Sequence, residues 1–286
     1  MPARSEQLEA TLSNFESDHA LLDPSQFARR FAVEEELERL FGDKVSESEY
    51  TRALSRRARA LQLALEKIDS QLFADLRSQI RSGICPAEFR ACIHNQSSSA
   101  TGLDFDHLDD LVSGVLRFEP PPEEPRTLSP DSVFYQPTPA RHIFRLISAA
   151  AITEADTLID LGSGLGHVPL LVSICTGATS IGIELDPALI ASAEQCAAAL
   201  SLRNITFRAQ DAREADLSAG TVFYLYTPFT GATLASVLNS LRTQAGLRPI
   251  RICTFGPCTS TLTEQPWLRP SSPPTTDQIT VFTPLS

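Results

Sequence analysis

Apolar residues recur at helical spacing from the amino terminus to about residue 118. Leu61, Leu65, Ile68, Leu72, Leu76 and Ile80 follow one another at steps of three and four. That stripe predicts one long amphipathic helix, closed by Gly83 and Pro86. Upstream, "DPSQFARRFAVEEELERLFG" offers Asp23 as a cap, Pro24 at the first helical position and Gly42 as the stop. "SESE" at 46–49 fits a capping box. A shorter helix is expected over 86–94, a loop at "HNQSSSATG", and another helix over 104–118.

The proline-rich stretch "EPPPEEPRTLSP" at 119–130 cannot form regular structure, because its prolines remove donors and hold the chain extended. It divides a helical domain, 1–118, from a second domain, 131–286. Beyond it the pattern becomes strand–helix alternation. Strands are predicted at 157–161, 180–185, 205–210, 221–227, 250–255 and 278–283. Thr138-Pro139 and Asp186-Pro187 each read as a cap followed by proline, opening a helix. Such alternation means an α/β domain with a mostly parallel sheet, helices on both faces and ligands beyond the carboxyl ends of its strands. There is no internal repeat.

Charge refines this division. Residues 1–125 carry 23 acids and 14 bases, a balance of -9 in a total of -11. An acidic chain without a Lys/Arg run argues against nucleic acid as partner. The Met1 end lacks the pattern of a signal peptide. No stretch approaches the ~18 apolar residues of a membrane span, so a cytoplasmic protein with no membrane partner is expected. The six cysteines form no C-x-x-C pair, which favours reduced, mostly buried thiols over a metal site.

The candidate chemistry lies in "TLIDLGSGLGHVPLL". Gly162, Gly164 and Gly166 follow a strand and precede a helix. Glycine allows a tight turn and close approach of a ligand to the backbone. A dinucleotide fold wants G-x-G-x-x-G, whose third glycine would fall at His167. Asp160, just before the turn, suits an ammonium group and would repel a pyrophosphate. "GIELD" ends the next strand with Glu184, a carboxylate able to accept both hydroxyls of a ribose. "RAQDARE" ends the third with Asp211, able to accept from an adenine amino group, with the Ala212 amide opposite a ring nitrogen. Taken singly, Asp160 is equally well a turn cap and Glu184 a solvated strand-end acid. Together the three describe S-adenosylmethionine.

"DLGSGLG", "GIELD" and "QDARE" resemble the first three motifs of the class I, seven-strand S-adenosylmethionine-dependent methyltransferases, over roughly residues 135–283. The resemblance implies a Rossmann-like seven-strand sheet behind an all-helical N-terminal domain. It puts Gly162 and Gly164 at the methionine part, Glu184 at the ribose and Asp211 at the adenine. Asp160, Ser163, Gly166, Leu185, Ala212 and Thr138 complete the expected cofactor site, with S-adenosylhomocysteine as product and no metal.

Two segments bear on the acceptor. N-methylating relatives carry an Asn/Asp-Pro-Pro-aromatic tetrad at the fourth-strand end. Here that stretch is Tyr226-Thr227-Pro228-Phe229, without the amide or acid and with one proline. "YQPTP", the glycine motif and "YTPF" together are similar to a subgroup of seven-strand protein-lysine methyltransferases, including those acting on ATP-synthase c subunits and, more distantly, on nucleosome-core lysine. That similarity makes Tyr135, Tyr226 and Thr227 the candidate catalytic residues. The plainer reading makes Tyr135, Tyr226 and Phe229 packing aromatics. His142 is a candidate base or a structural helix residue, and His167 lines the pocket or meets solvent. Three functions stay open: a methyltransferase acting on protein lysine, a small-molecule O- or N-methyltransferase, and a non-catalytic regulatory protein that binds the cofactor.

Overall fold

The computed structural model describes residues 2–42, 49–94, 104–119 and 136–285. Most of the proline-rich stretch and the first three residues of "SESE" lie outside these residues. The chain gathers into two compact units, one of residues 1–77 and 106–115, the other of residues 78–105 and 116–286. This differs from the expected division at residues 119–130. Residues 78–105, which hold the short helix expected over 86–94, group with the sheet, and the reason is packing; the loop expected at "HNQSSSATG" lies almost wholly outside the described residues. Phe89, fully buried, stacks its ring 5.6 Å from Phe144.

The first unit holds α1 (Pro2–Glu16), two short 3-10 turns (His19–Leu22 and Pro24–Gln26), α2 (Phe27–Phe41), most of α3 (Glu49–Arg81) and α5 (His107–Leu116). Its core joins Leu12, Leu21, Val33, Leu37, Leu54 and Leu65. The expected α3 stripe is observed: Leu65, Leu72, Leu76 and Ile80 are buried, while Leu61 and Ile68 are partly so. The start of α2 is later than expected. Asp23 caps the 3-10 turn, accepting from the Ser25 amide, and the α-helix begins at Phe27. Arg30 explains the detour. Its guanidinium is fully buried, bonds Asp69 at 2.6 Å, and donates to the carbonyls of Leu21, Asp23 and Pro24. Nearly all the Arg30 donors are thereby satisfied, which a buried charge requires.

Beside this pair lies a cavity of about 290 Å³ lined by Phe31, Glu34, Glu35, Glu38, Gln62, Glu66 and Asp110. Among the described residues the buried Oε1 of Glu34 has no hydrogen-bond partner. Desolvation first, then Asp69 and Glu66, push its carboxyl up to about 7, with Arg30 opposing.

The second unit opens with α4 (Ala87–His94) and continues with α6 (Ala140–Ala149), β1 (Thr157–Leu161), α7 (His167–Thr176), β2 (Thr179–Glu184), α8 (Pro187–Ala199) and β3 (Ile205–Ala209). Then come β4 (Val222–Tyr226), α9 (Gly231–Ala245), β5 (Arg251–Phe255), α10 (Cys258–Thr263), β6 (Leu268–Pro270) and β7 (Thr280–Pro284). The strands form one sheet in the order β3-β2-β1-β4-β5-β7-β6, parallel from β3 to β5 and antiparallel at β7. The six predicted strands are present, shifted by at most two residues at either end. The seventh, β6, is only three residues and ends in proline, so it carries no pattern of its own.

Alternation along the central strands sets the two faces. Ile159 and Leu161 of β1 and Phe223 and Leu225 of β4 join Leu234 and Val237 of α9 in the main core. Leu158, Asp160 and Tyr224 therefore face the other way. Asp186 caps α8 as expected, accepting from the Ala188 amide. Thr138 does not cap α6: that helix starts at Ala140 behind Pro139, with no side-chain cap.

Glu34 gives the first unit a pH signature. A folded-state pKa of about 7 against an ordinary 4.5 means the penalty on the folded chain is absent below pH 4.5 and full above pH 7. Glu34→Gln is therefore expected to stabilise the protein by about 1–2 kcal/mol at pH 8 and by nothing near pH 4.5. Urea unfolding at the two pH values checks this, and an equal effect at both contradicts it.

Candidate functional site

The turn after β1 is built from backbone geometry. The amides of Gly162 and Ser163 both donate to the Ile183 carbonyl, at 2.8 and 2.9 Å. Gly162, Gly164 and Gly166 all have positive φ, at 87°, 53° and 81°. Only glycine adopts these angles without strain. The niches beside two of them are already filled by protein. A Cβ on Gly162 would sit 2.2 Å from Cβ of Pro228, in the loop after β4. A Cβ on Gly166 would sit 2.5 Å from the ring of Phe207 on β3, and a Cβ on Gly182 would sit 2.6 Å from the same ring. The glycine pattern thus serves interior packing as well as a turn.

The three acids have different surroundings. Asp160 is 3% exposed and pairs in register with Gly182 on one side and Tyr224 on the other. Burial, then the nearby Glu184, push its carboxyl well above the ordinary range. Glu184 is enclosed by amides. Its Oε1 accepts from Leu185 and Asp186 at 2.7 and 3.0 Å, and its Oε2 accepts from Gly164 at 3.0 Å. It therefore ties the end of β2 to the glycine turn. Asp211 lies in the loop after β3 and is held by Arg213, whose Nη2 is 2.6 Å from Oδ2 and whose amide donates to Oδ1 at 2.8 Å. That fork holds its carboxyl below the usual range. Arg213 was not foreseen; the only trace in sequence is its place two residues after Asp211. Ala212 packs on the main core, and Leu185 is an exposed apolar residue beside Glu184.

Two buried hydroxyls lie at the carboxyl ends of strands. Among the described residues neither Ser163 Oγ nor Tyr226 Oη has a hydrogen-bond partner. The Tyr226 ring packs 4.8 Å from Phe255. Thr227 adopts φ 39°, rare for a β-branched residue. Its hydroxyl explains how that is held. Oγ1 accepts from the Cys258 amide at 3.0 Å and lies 3.3 Å from the Phe255 carbonyl, so it anchors the start of α10. Phe229 is buried in the main core, which fits a packing aromatic. Thr138 Oγ1 is 3.0 Å from the Tyr224 hydroxyl, and both are buried. Tyr224 is the residue sequence reasoning missed. Its two-residue offset from Tyr226 along β4 puts it on the Asp160 face. Tyr135 lies outside the described residues.

The histidines are both enclosed. His142 is buried with its ring 4.3 Å from Phe255. His167, 4.6 Å from the Phe118 ring, is pushed down to about 4 by desolvation, so it is neutral at physiological pH. Among the described residues no group of three His, Cys, Asp or Glu side chains is placed to hold a metal ion. No helix among them is long and apolar enough to cross a membrane.

Residues 131–218 match the family described as "Histone methylation protein DOT1". No curated protein matches the chain. Among solved structures, an RNA methyltransferase from Salinibacter ruber in complex with S-adenosyl-L-homocysteine is 29% identical, covering 52% of this chain and 92% of its own, with a TM-score of 0.41. Precorrin-6y C5,15-methyltransferase from Geobacter metallireducens is 14% identical, covering 54% and 92%, with a TM-score of 0.42. A tRNA (uracil-54, C5)-methyltransferase from Pyrococcus abyssi, also with S-adenosyl-L-homocysteine, is 16% identical, covering 54% and 40%, with a TM-score of 0.39. What decides the class is the strand order β3-β2-β1-β4-β5-β7-β6 with β7 reversed. The fold is that of the class I methyltransferases. In this class I sheet the first three strand ends carry the glycine turn, Glu184 and, one loop further, Asp211.

Gly162→Ala tests the packing of the turn. The added methyl meets Pro228 and a positive φ together. A loss of about 2 kcal/mol or more in stability is expected, read as a fall in thermal midpoint without any ligand. An unchanged midpoint would show that the Pro228 loop yields freely.

Proposed function

We propose that this chain is an S-adenosylmethionine-dependent methyltransferase whose acceptor is a lysine of a basic protein. One observation carries the cofactor reading: Asp160 is buried at the end of β1, its carboxyl pushed up by burial and by Glu184, beside a glycine turn. An ammonium group from a ligand would relieve that penalty. The residues present also fit the rest of the cofactor. A carboxylate offers about four acceptor sites, and the three amides on Glu184 leave one lobe for a ribose hydroxyl. Ser163 Oγ is buried and unmatched among the described residues, as a hydroxyl awaiting a polar ligand would be. Asp211 can receive an adenine amino group once Arg213 gives up part of its fork.

The cofactor supplies a methyl group activated on a sulfonium. The protein has to align donor and acceptor and exclude water. Thr138 and Tyr224 tie the segment before α6 onto the Asp160 face of the sheet. Thr227, held in its strained conformation by the start of α10, fixes the corner after β4. Burial pushes the Tyr226 hydroxyl up, so it keeps its proton and acts through hydrogen bonding. A lysine acceptor then loses its proton to water before transfer. The lysine reading is supported by the match of residues 131–218 to the histone-methylation family and by the -9 balance of residues 1–125.

Calorimetry with S-adenosylmethionine tests the cofactor site. Glu184→Ala is expected to weaken binding by about 1–3 kcal/mol, and NAD should not compete. Equal affinity in the variant, or saturable NAD binding in the same place, overturns the assignment. A labelled-methyl assay on cell lysate tests the acceptor. Label on lysine of a basic protein, decreasing as salt rises, is the expected result. Label confined to metabolites favours a small-molecule enzyme, and cofactor binding without any label favours a regulatory protein.

A further inference from the structure

β4 and β5 end side by side, with Tyr226 in register with Phe255. The next residue, Gly256, stands at φ 81°. Its backbone is pinned at both ends: the amide donates to the Thr276 carbonyl at 2.9 Å, and the carbonyl accepts from the Thr259 amide at 3.1 Å. A Cβ here would sit 2.8 Å from Thr227 Oγ1 and 3.1 and 3.2 Å from Cε2 and Cδ2 of the Tyr226 ring. Both neighbours are themselves backed. Thr227 Oγ1 accepts from the Cys258 amide at 3.0 Å, and the Tyr226 ring has the Phe255 ring 4.8 Å away. Phe255 is fully buried, with the His142 ring 4.3 Å from its own.

Resting on the methyltransferase reading above, we propose that Gly256 and Phe255 are positioning residues for the transfer, a seat that fixes where the Tyr226 hydroxyl points. Among the described residues Tyr226 Oη is buried and has no hydrogen-bond partner. Within this set its direction is therefore set by contacts along the ring rather than by a bond at its tip. The bare backbone of Gly256 and the ring of Phe255 supply those contacts. Tyr226 is also on the Asp160 face of the sheet, two residues beyond Tyr224 on β4.

A hydroxyl oxygen can accept an N–H of a neutral amine and leave the nitrogen lone pair free for attack. In-line attack tolerates little error in that alignment: about 1 Å of misplacement can cost on the order of a hundredfold in rate. A methyl at position 256 would disturb this end of the site alone. The three atoms nearest to it belong to Thr227 and Tyr226, and none belongs to the glycine turn, Glu184 or Asp211. Transfer should therefore suffer while cofactor binding does not.

The test is a double-mutant cycle on the full chain, with methyl-labelled S-adenosylmethionine and cell lysate as the source of acceptor. Gly256→Ala and Tyr226→Phe are each expected to slow labelling of protein about tenfold or more, and the double variant to be slower than the worse single by no more than about twofold. Calorimetry should give every variant a cofactor affinity within about threefold of the parent. A glycine with only a structural role would lower the thermal midpoint and slow transfer equally in both Tyr226 backgrounds, so losses that multiply overturn the proposal. An unchanged rate in Gly256→Ala overturns it too, as does a fall in cofactor affinity that matches the fall in rate. Phe255→Leu, read in the same cycle, leaves the glycine alone and decides the matter if Gly256→Ala fails to fold. A parent chain that binds cofactor yet labels no protein overturns the lysine reading and the seat with it, whereas a labelling parent unaffected by Tyr226→Phe overturns the seat alone.

Discussion

A carboxylate inside a parallel sheet has to be held against its own desolvation, and the second unit is arranged around that requirement. Asp160 is on a central strand, covered by neighbours on both sides and nearly free of solvent. An isolated ion there would be costly. The surrounding parts limit the options. Glu184 raises the Asp160 carboxyl further while three of its own acceptor lobes are taken up by amides. Tyr224, in register with Asp160, turns its hydroxyl to Thr138. Burial and Glu184 together favour the neutral acid at Asp160, and a positive group placed beside it would favour the carboxylate instead.

The sheet was legible because its signals are local. β1 and β2 are short apolar runs ending at glycine or at acid, and α8 announces itself with Asp186-Pro187. β6 was invisible because three residues ending in proline have no period. Thr138 looked like a cap, yet its hydroxyl is used 86 positions away by Tyr224. Such a bond is a property of the fold and leaves no trace in spacing. The same is true of Asp211. Its identity was readable, but its fork to Arg213 depends on how the loop after β3 closes.

The division into units was the largest departure. Composition marks residues 119–130 as a break, and the acidic balance falls off near the same place. Packing follows a different line. Phe89 is buried on Phe144, Cys196 donates to the Leu116 carbonyl, and Ser192 donates to the Glu119 carbonyl. Residues 78–105 and 116–119 therefore complete the sheet unit, although they read as part of the helical region. Helical periodicity shows which face of a helix is buried but is silent about what buries it.

Phe207 has a consequence for how such chains diverge. Its ring fills the space that side chains at Gly166 and Gly182 would need, from a third strand. Three positions far apart in sequence share one volume. The two glycines differ in what they allow: a methyl gained at 182 needs only a smaller residue at 207, whereas at 166 the positive φ keeps glycine whatever fills the space. Glycine at 182 thus answers to the aromatic in register with it on the neighbouring strand, a steric requirement that exists before any ligand arrives.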